Sequence, residues 1–154
     1  MLHIIDNGIM QKIATLHVQA DVSELAKIRD FVEVQAGALG VKPDAVYDVV
    51  LAANEIATNI VVHGYRGQPG TIEIEMRSEG DAAKIVLRDQ APPFDPTLAA
   101  TPDITVPLEK RPRGGMGIHL TRRLTDAMLH RVGPDGGNEV TLIKRGVIAG
   151  DLRR

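Results

Sequence analysis

After Pro43-Asp44 the apolar residues Ala45, Val46, Val49, Val50, Ala53, Ile56, Ala57 and Ile60 recur at three- and four-residue steps. That spacing predicts a helix over about residues 44–63 with one face on a core. Upstream, the pattern predicts a strand over about 13–19 and a helix over about 22–36, with Asp21 and Glu24 placed to form a reciprocal cap. Downstream, Ile72, Ile74 and Met76 alternate with Glu73 and Glu75, which marks a half-exposed strand over 71–77. Residues 83–88 would pair with it across the turn at 78–81. A last helix is expected from near Gly115 to near Leu129, then a hairpin of 129–132 and 139–145 around Pro134-Asp135-Gly136-Gly137. This order implies a two-layer α/β sandwich, an α+β arrangement with a mixed, mainly antiparallel sheet and its helices on one face.

Composition bounds the chemistry. A chain of 154 residues is one domain of common size, 1–154, able to bury a single core. With 44% hydrophobic but only 3% aromatic residues, that core is aliphatic. A net charge of −2 gives no broad basic field, and no aromatic platform stands beside the arginines, which disfavours direct nucleic-acid binding. Without cysteine there are no disulfides, thiolate metal sites or cysteine nucleophiles. The five histidines lack paired metal-ligand spacing, and there is no Walker-type loop. No leader and no membrane span are expected, so the expected compartment is the cytoplasm.

Candidate chemistry starts on the long helix. Glu55 and Asn59 fall one turn apart on one face. A carboxylate can take a proton or orient a hydroxyl, and an amide oxygen is a hard ligand suited to Mg²⁺. By itself such a pair is usually solvated surface. His63, a turn further on, would line the same end; a His there more often caps carbonyls or packs, and Tyr65 reads as structural.

Two later segments alter the weighting. The strand Val86-Leu87-Arg88-Asp89 ends in an acid and breaks at Gln90-Ala91-Pro92-Pro93-Phe94-Asp95-Pro96. A carboxylate at a strand end can accept from an exocyclic amine such as that of adenine. Arg113-Gly114-Gly115-Met116-Gly117 then opens an amphipathic helix, where glycines and free amides suit phosphate oxygens and Arg113 is a possible clamp. Between them lies a proline-rich segment with little apolar periodicity, holding Pro96, Pro102, Pro107 and Pro112.

In this order the three segments resemble the N, G1 and G2 boxes of the GHKL ATPases, which share the Bergerat fold, and within them the bacterial anti-sigma-factor serine kinases. The resemblance runs from about Thr15 to Lys144. It implies binding of ATP or ADP with Mg²⁺ on Asn59, and Glu55 as general base toward a serine hydroxyl. It implies Asp89 at the adenine amine, Ala91 beside the base, and backbone amides of Gly115, Met116 and Gly117 near the phosphates. Arg113 would approach the γ-phosphate, and Thr141 would support Asp89 at adenine. Residues 96–114 would be the ATP lid, with Lys110, Arg111 and Arg113 where a γ-phosphate could order it.

The implied partners are a sigma factor and a STAS-type anti-sigma-factor antagonist, in a homodimeric kinase. One departure stands out: Ala91 replaces the usual glycine of the G1 box, and its methyl is expected to weaken or rearrange adenine binding. That leaves open a nucleotide-gated binding module without phosphotransfer. The detached ATP-binding domain of a histidine kinase is a further alternative.

Overall fold

The computed structural model describes residues 2–4, 10–110 and 116–149. After a two-stranded hairpin of β1 (Leu2–Ile4) and β2 (Met10–Lys12), a five-stranded sheet forms from β3 (Ala14–Gln19), β4 (Thr71–Glu79), β5 (Ala82–Asp89), β6 (Ala127–Val132) and β7 (Asn138–Lys144). Its spatial order is β3-β4-β5-β7-β6, and every pairing in it is antiparallel. The helices are α1 (Leu25–Ala38), α2 (Pro43–Asn59) and α3 (Met116–Leu124).

The expected sandwich is present because the inward positions are aliphatic on both layers. Ile72, Ile74 and Met76 of β4, Ile85 and Leu87 of β5, and Val140 and Leu142 of β7 bury against Ile28 and Val32 of α1 and Val49, Ala53 and Ile56 of α2. Pro43 starts α2 where its missing N–H costs nothing. The helix continues as one wider π-helical turn, Ile60–Tyr65, which stops at Arg66 in the left-handed region (φ 53°). With that turn, Pro43–Tyr65 is a 23-residue helix long and apolar enough, by length and composition, to cross a membrane, which the sequence reading had not anticipated. Here its apolar residues form the protein core.

Local expectations differ at three places. The expected cap serves a short 3-10 turn, Val22–Glu24, ahead of α1: Asp21 Oδ1 accepts from Ser23 N–H and Oγ at 2.8 and 2.6 Å, while Glu24 turns to Lys27 and α1 itself has no side-chain cap. Helix α3 ends at Leu124 rather than Leu129. Lys144 Nζ donates to the Leu124 carbonyl at 2.8 Å and Asp126 N–H donates to Ile143 O at 2.8 Å, so Ala127 and Met128 are drawn into β6. Glu75, expected on an exposed face, is buried.

Burial of Glu75 has a cause on the face of the sheet away from the helices. In register, His17, Glu73, Arg88, Glu139 and Arg131 run across the five strands with alternating charge. Arg88 bonds to Glu73 (2.6 Å), Glu75 (2.9 Å) and Glu139 (2.8 Å). Burial works against the Arg88 charge, but the bonds to Glu139, Glu75 and Glu73 outweigh it and push its pKa up. The bonds from Arg131, and then from Arg88, hold Glu139 below the usual carboxylate range. Removing Arg88 leaves three carboxylates without their shared cation. Arg88→Met should cost about 2 kcal/mol at neutral pH, between the values for exposed and buried pairs. Glu139, held below the usual carboxylate range, gives stability that is full above the ordinary glutamate value of about 4.3 and is lost below it. The penalty should therefore be the same at about pH 7 and 5 and shrink only below about pH 4, which urea melts at about pH 7, 5 and 3.5 would show.

Candidate active site

The site is built where the C-terminal end of α2 meets the end of β5 and the start of α3. The α2 face carrying Glu55 and Asn59 leaves the core at its edge, so both side chains are half-buried. Glu55 lies against the first turn of α3: a Cβ added at Gly117 would overlap Glu55 Oε2. A side chain at 117 would displace the Glu55 carboxylate from this position. Thr121, fully buried one turn on, donates its hydroxyl back to Gly117 O within α3 at 2.9 Å. Met116 is exposed at the helix start. Arg113 and Gly115 lie outside the described residues.

A cleft of about 1030 Å³ opens beside Asn59, its wall including Gly64, Tyr65, Ala91, Phe94 and Ile118. That is room for a nucleotide-sized ligand. His63 is exposed on its rim rather than packed. Tyr65 does more than fill space: it is buried, its hydroxyl donates to Thr71 O at 2.8 Å and accepts from Gln90 N–H at 2.8 Å. The end of α2 therefore fixes the chain immediately after Asp89.

Asp89 sits below the cleft, only 3% exposed. A recess of about 20 Å³ reaches it, bordered also by Asn138 and Val140, and Asn59, Gly64 and Phe94 border both recess and cleft. Burial is the main influence on the Asp89 carboxyl and pushes its pKa up, against hydrogen bonds that lower it. Those bonds come from Asn138 Nδ2 at 3.0 Å and Ala91 N–H at 2.9 Å, both to Oδ1.

Asn138, not Thr141, supports this carboxylate. Along β7 the side chains alternate, and Asn138, paired with Asp89, shares the helix-facing side with Val140 and Leu142. Thr141 pairs with Val86 and lies on the opposite face. Three residues along a strand reverse the direction of a side chain, so Thr141 cannot reach Asp89. The signal was present in the sequence as Gly137-Asn138. Gly137 has φ +73°, and a Cβ there would overlap the Asp89 carbonyl oxygen, so only glycine lets β7 start close enough for Asn138 to bond.

Ala91 lies on the wall of the cleft. A Cβ placed on Gly64 would stand 3.2 Å from the Ala91 methyl, so the methyl is turned onto the bare backbone of the π-helical turn and is buried there. The lid expected at 96–114 begins with a short turn, Pro96–Leu98, capped by Asp95. Arg122 of α3 donates to Pro96 O (3.2 Å), Thr97 O (2.6 Å) and Ala99 O (2.8 Å), tying the root of this segment to the helix that carries Gly117. Lys110 is exposed at its far end, and Arg111 lies outside the described residues. Asn138, Tyr65 and Arg122 were not singled out from sequence for these roles.

Residues 18–144 match the family model described as the histidine kinase-like ATPase domain. The chain is 30% identical over 97 residues to the serine/threonine-protein kinase BtrW of Bordetella bronchiseptica, covering 62% of this chain and 68% of that one. It is 30% identical over 115 residues to the serine-protein kinase RsbW of Bacillus cereus, covering 72% of each. In three dimensions it resembles the crystal structure of the RsbU and RsbW domains of Rv1364c from Mycobacterium tuberculosis, with a TM-score of 0.55 and 18% identity. That likeness, one of fold, covers 86% of this chain, which spans 32% of the longer one. The cleft between α2, the Asp89 turn and α3 thus lies within the matched region, and the chain belongs to the histidine kinase-like ATPase family.

Proposed function

We propose that this chain is an ATP-dependent protein serine kinase and anti-sigma factor that phosphorylates a small STAS-type antagonist in a partner-switching pathway. The observation that carries the nucleotide site is Asn59 on the wall of the cleft and of the adjoining recess that reaches the buried Asp89, with Glu55 one helical turn before Asn59 and against Gly117. The donor set fits Mg·ATP: an amide oxygen at Asn59, a free-amide helix start at Gly117, and an acceptor-only carboxylate in a desolvated recess. Bound Mg²⁺ would neutralise phosphate charge, with Asn59 as its protein ligand and Arg113 as a further cation. Glu55 orients the attacking serine hydroxyl and takes its proton. Asp89 accepts from the adenine amine, and Asn138 holds it in place. A homodimer in the cytoplasm, bound to a sigma factor in one nucleotide state, completes the reading. The module without phosphotransfer was motivated by Ala91, whose methyl lies against Gly64 on the cleft wall, and the transfer assay below distinguishes the two readings.

Incubation with ATP, Mg²⁺ and the cognate antagonist should yield phosphoserine on the antagonist. Glu55→Ala should slow transfer by about 10²–10⁴-fold, the range typical of a lost general base, with ATP affinity within a few-fold of wild type. Undiminished transfer by that variant would take the base role from Glu55. Asn59→Ala, by contrast, should remove the Mg²⁺-dependent part of ATP affinity, read by titration with and without Mg²⁺.

Asp89 must be ionised to accept from the amine, and burial has raised its pKa. ATP affinity should therefore be full at neutral pH and decline as pH falls, beginning above the ordinary aspartate value of about 3.9. An affinity that stays flat down to about pH 4 would show that this carboxylate does not meet the base.

A further inference from the structure

His130 of β6 is a buried imidazole, its side chain only 7% exposed, that the proposed chemistry leaves without a role. Its Nε2 lies 2.9 Å from Asn138 Oδ1. The same oxygen accepts from Phe94 N–H at 2.8 Å, which identifies it as the oxygen end of the amide. An amide oxygen only accepts, so Nε2 carries the proton and donates. The nitrogen end of Asn138 donates to Asp89 Oδ1 at 3.0 Å and to Pro92 O at 3.2 Å. On its other side His130 turns Nδ1 toward Asp95 Oδ2 at 3.8 Å, while Asp95 Oδ1 caps Thr97.

This chain of contacts gives the Asn138 amide a direction. Reversed, its oxygen would face the Asp89 carboxylate and the Pro92 carbonyl, acceptor against acceptor, and its nitrogen would face the Phe94 N–H and the His130 donor. Two donors at the oxygen end and two acceptors at the nitrogen end oppose the reversal. Among the described residues both bonds to Asp89 fall on Oδ1, which leaves Oδ2 for a donor arriving through the recess. Adenine offers an amine at that edge, whereas guanine offers a carbonyl oxygen.

Building on the nucleotide reading above, we propose that His130 is a positioning residue for nucleobase selectivity: by donating to Asn138 Oδ1 it keeps the amide nitrogen on Asp89, and so keeps Asp89 an acceptor that favours an amino-purine over an oxo-purine. The device sits outside the segments that first drew attention to the cleft. It reaches Asp89 through a neighbour rather than by touching the base.

The test is equilibrium titration of the full chain with ATP and with GTP, for wild type, His130→Leu and His130→Gln, with a thermal melt of each. Loss of one hydrogen bond predicts that His130→Leu weakens ATP by about three- to tenfold while GTP changes little, so the ATP:GTP preference falls. His130→Gln, whose amide nitrogen reaches the place of Nε2, should restore the preference to within about twofold, the small remainder of a hydrogen bond kept. The preference is a ratio taken on one preparation, so a smaller folded fraction does not move it. An unchanged ratio in His130→Leu, or a ratio in His130→Gln as low as in His130→Leu, overturns the role of His130 alone. Failure of the wild type to bind ATP overturns the nucleotide reading and the inference together.

Discussion

Burying the Asp89 carboxylate is the constraint on which the site-bearing half of the molecule depends. A carboxylate taken out of water costs several kcal/mol unless hydrogen bonds replace the lost solvent, and here they come from Asn138 and the Ala91 amide. Meeting that need dictates local structure on three sides. Gly137 must be bare and left-handed for β7 to approach. The chain after Asp89 must fold back so that Ala91 N–H can donate, and Tyr65 holds it there through Gln90. His130 and Phe94 then orient the Asn138 amide. One polar side chain at a strand end thus ties together α2, β5, β6 and β7.

Helix α2 serves two purposes that its periodicity makes compatible. Its alanine- and valine-rich face packs the core, while Glu55 and Asn59 stand half-buried at the edge of that face, with Asn59 on the cleft wall. The small core residues Ala52, Ala53 and Ala57 let α2 lie close to its neighbours. The π-helical turn that follows shifts the register by one residue. Such turns in helices often mark functional sites, and this one brings the Tyr65 hydroxyl to the Asp89 turn and bares Gly64 where Ala91 needs space.

These features were unequally legible in the chain. Glu55 and Asn59 could be placed because a helical period of 3.6 fixes relative direction from spacing alone. Asp89 could be placed only through its order among the three segments, because a strand-end acid before prolines is by itself more often a turn residue. Thr141 was misassigned because direction on a strand depends on parity, and a shift of one residue in register exchanges the two faces; only the pairing of Asp89 with Asn138 settles it. Glu75 was misjudged for a related reason. Its alternation with isoleucine was visible, but the cation that covers it, Arg88, comes from the next strand. The end of α3 was overrun because Lys144 and Ile143, twenty residues further on, take its last carbonyl and the chain beyond.

The relation between the recess and the cleft bears on how a base would be received. A space of about 20 Å³ at Asp89 holds roughly one water molecule and no purine. Of the three residues bordering both spaces, Asn59 and Gly64 belong to the helix and its π-helical turn, whereas Phe94 lies in the loop after β5 and is 50% exposed. Its backbone is not free, because Phe94 N–H is held by Asn138. On the proposed reading, a base reaching Asp89 would displace the Phe94 side chain while the backbone of the turn stays held. Arg122 pins the next stretch through Pro96, Thr97 and Ala99, so any closure of the lid begins beyond Ala99. The hydrogen bonds of Asn138 and Arg122 therefore hold the turn after Asp89 and the root of the segment that follows it.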